Sequence, residues 1–246
     1  MGEERNPNQI IRKDARNCFV ESLNDAFDRG RIHLFFATYD ATKREGERQT
    51  NKVNIYIPVE EFLELNRKLS CGELKHIVHD KKSRNDESDI FKTLGGTSAV
   101  KLAQFGSPRA DGMSLSRIFR ISIGRKAEVA LTADSGPGET DEKGLIVPRF
   151  KGKGENHVAV GMTFDDLSEL VLMTKVHYDA WLTAWYMRRP LQEQNSYQRD
   201  QYKSRQPNTR TSQQDSKQSA VPQPQSYIPE AYLTPAQTSG NRIPMF

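Results

Sequence analysis

The sequence predicts an α+β fold: a mostly antiparallel, curved sheet packed by a long C-terminal helix, followed by a disordered polar tail. Three observations carry this. Met113 to Met162 is a run of strand-like segments divided by glycines. An apolar-striped helix follows from about Thr163 to about Met187. From Pro190 onward the composition turns to Gln, Ser, Pro, Thr and Asn, which buries too little apolar surface to offset the entropy of ordering.

The 246 residues divide accordingly into a flexible terminus over 1–12, one domain over 13–189 and a tail over 190–246. Lys and Arg number 36 against 32 Asp and Glu, a formal charge of +4 that permits nucleic acid as a partner without demanding it. Two cysteines, Cys18 and Cys71, make no disulfide framework. Nothing ahead of them resembles a signal peptide, and no apolar run has the length of a membrane span. The expected address is a reducing cytoplasm, with no membrane partner.

In chain order, Lys13 to Asp28 shows helical spacing, with Ala15, Cys18, Phe19, Ser22, Leu23, Ala26 and Phe27 on one face and Gly30 as its stop. Arg31–Ala41 and Lys52–Val59 alternate as two strands around a charged hairpin loop at Thr42–Asn51, with Val53, Ile55 and Ile57 facing a core. A short helix is expected over Val59–Leu69, with Gly72 as a cap. His79–Asp89 is charge-dense and aperiodic and reads as a mobile loop. Gly95 and Gly96 introduce a strand at Thr97–Phe105, and Gly106–Ser114 has turn chemistry.

The remaining strands are expected at Leu115–Gly124, Glu128–Ala133, Leu145–Phe150 and His157–Met162. Phe119, Ile121 and Ile123 take one side of the first of these, and Ile118, Arg120 and Ser122 the other. Asp134–Gly144 reads as an acidic, glycine-rich loop and Lys151–Asn156 as a basic hairpin tip. Thr163 can cap the final helix, with Asp165 and Asp166 in its first turn and Pro190 as its end.

No catalytic signature emerges, so no enzyme activity and no cofactor are expected. Lys151-Gly-Lys-Gly lacks P-loop spacing, and Gly136-Pro-Gly138 is no dinucleotide fingerprint. Cys71, His76 and His79 sit near each other without the regular spacing of a zinc site. Carboxylate pairs such as Glu60/Glu61 fit helix starts and solvated faces.

The informative feature is the sheet face opposite the core. It is expected to carry His33, Phe35 and Tyr39, then Lys52, Asn54 and Tyr56, then Lys101 and Phe105, then Arg120 and Ser122. Rings interleaved with cations suit single-stranded nucleic acid, because bases stack on rings while Lys and Arg track phosphates. Lys126 and the tip residues Lys151 and Lys153 add cations beside glycines that let a backbone approach. An ordinary solvated face is the plainer alternative, and a one-residue slip in register would exchange the two faces.

The order strand, strand, helix, several strands, long helix and polar tail, over about 31–189, resembles Whirly-type and related single-strand-binding proteins. It also resembles accessory proteins of bacterial plasmids, phages and conjugative elements. The resemblance implies a curved antiparallel sheet that binds unpaired strands, often in an oligomer. The terminus Ile243-Pro-Met-Phe246 looks like the Ile-Pro-Phe end with which bacterial single-stranded-DNA-binding proteins recruit replication enzymes, although Met245 intervenes and no acidic run precedes it. The expected partners are therefore single-stranded nucleic acid, DNA before RNA, a second copy of the chain, and a replication or recombination protein at the tail. The alternative is an assembly factor that uses the long helix and the tail.

Overall fold

Residues 6–44 and 46–204 are described in the computed structural model, with side chains through Arg188. The chain forms two units, Met1–Ser196 and Tyr197–Phe246, and the fold below is that of the first.

Four strands open the fold as an antiparallel meander: β1 (Gln9–Asp14), β2 (Cys18–Leu23), β3 (Arg31–Tyr39) and β4 (Gln49–Pro58), in that spatial order. Helices α1 (Val59–Ser70) and α2 (Glu73–Ser83) follow. A second antiparallel sheet holds β5 (Phe91–Thr97), β6 (Ser114–Ile123), β7 (Val129–Thr140), β8 (Ile146–Pro148) and β9 (Asn156–Met162), with the short helix α3 (Ala99–Gln104) between β5 and β6. Strand β7 pairs with β6 on one edge and with both β8 and β9 on the other. Helix α4 (Phe164–Ser204) closes the element order.

The fold class is the α+β one expected, but the strands form two sheets. Two helices intervene between β4 and β5, so the chain leaves one sheet before starting the next. The apolar faces of the sheets meet in one core, where Phe36 of β3 lies 5.8 Å from Phe119 of β6, ring centre to ring centre. Ile55 and Ile57 of β4, Leu131 of β7 and Val160 of β9 are buried there. Phe62 and Leu65 of α1 and Leu74 of α2 join the same core, as do Leu167 and Leu170 of α4. The strong alternation of β3 and β4 comes from this one-sided burial.

Several local expectations give way. The segment read as a helix over Lys13–Asp28 is the β1–β2 hairpin followed by a single 3-10 turn at Phe27–Arg29. Both faces of β2 are buried, Val20 toward the core and Phe19 and Leu23 on the other side, and a strand apolar on both faces imitates helical spacing. Strand β1 also begins at Gln9, within the stretch expected to fray. His79 to Ser83 belong to α2, whose buried Leu74 and Val78 recur at a helical interval of four.

Thr97–Phe105 divides into the end of β5 and helix α3, because the Ser98 hydroxyl accepts a bond from the Lys101 amide and starts a helix there. Leu102 is buried, whereas Val100 is exposed. The glycine-rich loop expected from Asp134 is strand as far as Thr140. Gly136 and Gly138 serve close approach there: a Cβ on Gly138 would sit 2.7 Å from Ile146 Cγ2, and one on Gly136 would sit 3.0 Å from the Phe150 ring.

Helix α4 starts where the sequence places it. Thr163 Oγ1 accepts from the Asp166 amide at 3.1 Å and donates to the Asp166 carboxylate at 2.7 Å. The helical backbone continues through Pro190, where the sequence reading ended it, at the cost of the backbone bond that a proline nitrogen cannot make. The expected disordered tail lies, beyond Ser204, outside the described residues. No helix among the described residues is long and apolar enough to cross a membrane.

Candidate nucleic-acid interface

The outer face of the first sheet is set by register. Across β3 and β4, His33 faces Tyr56, Phe35 faces Asn54, Ala37 faces Lys52 and Tyr39 faces Gln49. Across β2 and β3, Leu23 faces His33, Glu21 faces Phe35 and Phe19 faces Ala37. Phe35, Tyr39, Lys52 and Tyr56 therefore share one face, as expected, on a strip about 20 Å long at the usual strand rise.

The Tyr39 end is concave. A hollow of about 400 Å³ is lined by Tyr39, Phe19, Arg12, Gly46, Arg48 and Gln49. The Arg12 guanidinium lies 3.7 Å above the Phe19 ring, and Phe35 stands 5.9 Å from that ring on the sheet. Arg12 is already paired, at 2.7 Å with Asp14 and 3.2 Å with Glu21. Burial pushes the Glu21 carboxyl above its ordinary range, and Arg12 opposes that shift. The Arg48 guanidinium bonds a backbone carbonyl, that of Lys43, at 3.3 Å. Lys52 is exposed between the two ends of the strip.

At the other end Tyr56 is stacked on His33, with ring centres 4.4 Å apart and planes 23° from parallel. The His33 ring is held by Asp25 at 2.7 Å on Nδ1 and by Asn54 at 2.9 Å on Nε2. Two guanidiniums flank Tyr56: Arg29, before β3, at 5.6 Å from the ring centre, and Arg117 of β6 at 5.8 Å. Burial lowers the Arg117 pKa, with the Tyr56 oxygen acting the other way.

The other five residues named from the sequence lie elsewhere. Arg120 is on the second sheet, where it pairs with Asp134, a carboxylate with no solvent exposure. Asp134 also accepts from the Gly154 amide at 2.9 Å and lies 2.8 Å from His157 Nδ1. Arg120 further donates to the Gly152 carbonyl at 3.4 Å, so the segment bearing Lys151 and Lys153 is tied to the Arg120–Asp134 pair while both lysines stay exposed. Lys101 is exposed on α3 and Lys126 in the turn between β6 and β7.

Sequence reasoning missed Phe19 because its segment read as a helix, Arg12 because it fell in the terminus expected to be flexible, and Arg48 because it fell in the assigned loop. It missed Arg117 although a signal was there: a cation in the inward-facing series Leu115, Arg117, Phe119, Ile121. A second hollow, of about 360 Å³, lies between α2 and the β6–β7 turn, with Lys81, Lys82 and Arg125 set against Asp86 and Glu87. Among the described residues no group of three or more His, Cys, Asp or Glu side chains is arranged to hold a metal.

No protein-family model, curated protein or solved structure matches the chain.

Proposed function

We propose that the protein binds single-stranded nucleic acid without catalysing a reaction on it. In this reading it prefers DNA over RNA and acts in replication, recombination or transfer of DNA. The supporting observation is the β3–β4 strip, which joins Tyr39, Phe35 and Tyr56 to Lys52 on one sheet face, with Arg48 lining the hollow at its Tyr39 end. Bases stack on the rings, and the cations neutralise the phosphates between them. Lys101, Lys126, Lys151 and Lys153 add positive charge outside the strip, and Arg120 acts mainly in holding the Asp134 corner. The preference for DNA rests on the resemblance in layout to Whirly-type proteins.

The test is fluorescence polarisation with labelled single-stranded DNA, duplex DNA and single-stranded RNA at two salt concentrations. Binding to the DNA strand should be tightest, with a salt slope of about −0.7 per phosphate neutralised. Replacing Tyr39 and Tyr56 together by alanine should cost about 1–3 kcal/mol for each ring lost from stacking. No binding to any strand, or an unchanged affinity in the double variant, overturns the reading.

A second reading, assembly through α4 with a second copy of the chain, is favoured by one observation. Met173, Val176, Ala180, Thr183 and Met187 are all exposed on α4, and their intervals alternate three and four. That is the spacing of a seam between two helices, and it lies away from the core-facing Leu167, Leu170 and Thr174.

A further inference from the structure

Strand β6 places an arginine where its pattern calls for an apolar residue. Leu115, Arg117, Phe119, Ile121 and Ile123 share one side of the strand, and Phe119 and Ile121 are fully buried against the first sheet. A charge so placed is costly unless paired. Arg12, Arg109 and Arg120 are also partly buried, and each holds at least one carboxylate. Arg117 holds none among the described residues. Its Nη1 donates to Thr97 Oγ1 at 2.8 Å, and the nearby ring of Tyr56 offers no counter-ion. Its cross-strand neighbours are Gly95 on β5 and Ser135 on β7.

Space for a counter-ion exists beside it. A Cβ built on Gly95 meets no atom within 4 Å, so the position directly opposite Arg117 is open. Arg29 brings a second guanidinium to the same tyrosine, and its own ion pair, to Asp28, is a long one at 3.8 Å. Two guanidiniums around one ring, with an open side and no carboxylate on the deeper one, suit a compact anion with several acceptor oxygens. A planar guanidinium binds phosphate through paired hydrogen bonds.

We infer that Arg117, Thr97 and Tyr56, with Arg29 at the rim, form a seat for one phosphate group. Resting on the single-strand reading above, the seat receives a backbone phosphate of the strand as it leaves the Tyr56 end of the strip. Thr97 holds the guanidinium in place, and the glycine at position 95 keeps the approach clear.

The experiment uses the full chain, Arg117→Gln and Arg117→Lys. For labelled single-stranded DNA, Arg117→Gln should bind about 10-fold more weakly, the loss expected for charge-assisted hydrogen bonds. Its salt slope should shrink by about 0.7. Arg117→Lys should keep the slope and recover only part of the affinity, since an ammonium cannot pair bidentately. Arg117→Gln should melt no lower than the parent, because it removes an uncompensated charge, so its weaker binding is not unfolding. Separately, inorganic phosphate should move the Arg117 side-chain N–H resonance, assigned by its absence from Arg117→Gln.

Unchanged affinity and slope in Arg117→Gln, together with a resonance that phosphate leaves in place, overturn the seat. A resonance that phosphate moves in a protein that binds no strand supports the seat as a site for free phosphate and sinks the single-strand reading alone. A moved resonance with strand binding untouched by Arg117→Gln overturns the role of the seat for the strand.

Discussion

The hydroxyls of Ser22 and Thr174 meet at 2.7 Å in the core, both without solvent exposure, and tie β2 to α4. Thr174 Oγ1 also lies 2.7 Å from the Leu170 carbonyl, which can only accept. Thr174 therefore donates to Leu170, and Ser22 donates to Thr174. Replacing Thr174 by valine leaves the Ser22 hydroxyl without an acceptor and should cost about 1–3 kcal/mol. Adding Ser22→Ala should cost less than the sum of the two changes, because the stranded group is then gone. Urea unfolding of the two single variants and the double one checks this, and strict additivity would refute the pairing.

The start of α4 should make the fold acid-sensitive. Asp166 accepts from the Thr163 hydroxyl and from Lys13 of β1, and both hold its carboxyl below the ordinary value of 3.8. The unfolded chain takes up this proton at a higher pH than the folded one. The contribution is thus present above about pH 3.8 and lost as pH falls below it. Asp166→Asn should be less stable than the parent at neutral pH and should converge on it in acid. Thermal melts across pH 2.5–7, roughly the span over which carboxylates titrate, measure this, and a constant gap between the curves would remove Asp166 from the account.

Arg120 should prove structural when tested. Arg120→Ala leaves Asp134 buried, with Gly154 and His157 as its remaining partners, and should destabilise the fold by about 3 kcal/mol. Lys126→Gln, in an exposed turn, should change stability little and reduce strand binding only slightly. Chemical denaturation beside the polarisation assay separates the two effects. An Arg120→Ala variant of unchanged stability would return Arg120 to the list of phosphate contacts.

If the α4 seam joins two copies, sedimentation should give a dimer at tens of micromolar, roughly, with Val176→Glu a folded monomer. A parent chain that stays monomeric at about 100 µM would dismiss the seam as an exposed helix face.

The parts of the fold legible from sequence are those buried on one side only. Ile55 and Ile57 of β4 alternate with Asn54 and Tyr56, and Thr163 announces α4 before its apolar stripe begins. Legibility fails where both sides of an element are covered. Strand β2 buries Phe19 and Val20 on opposite faces, and that double pattern mimics a helix. It fails again where a residue type has two uses. Gly136 and Gly138 read as turn formers, yet they lie inside β7 because Phe150 and Ile146 press onto them.

The candidate site was half readable for the same reason. Tyr39, Phe35, Lys52 and Tyr56 follow from alternation along two adjacent strands. The pairing of Arg120 with Asp134 and the approach of Arg117 to Tyr56 depend on how distant strands meet. Spacing along the chain marks Arg117 as a cation among apolar residues but names neither partner.

The meeting of Phe36 with Phe119 also governs how the chain is made. The first four strands pair only with their neighbours in sequence and can form as soon as Pro58 has been synthesised. Their apolar face, with Ile32, Phe36, Val53 and Ile55, then waits for partners from β6, β7, β9 and α4. Until those residues leave the ribosome the nascent sheet is an adhesive surface, open to chaperones and to other unfinished copies. A message truncated before the codon for Phe119 should yield aggregate rather than a smaller folded domain.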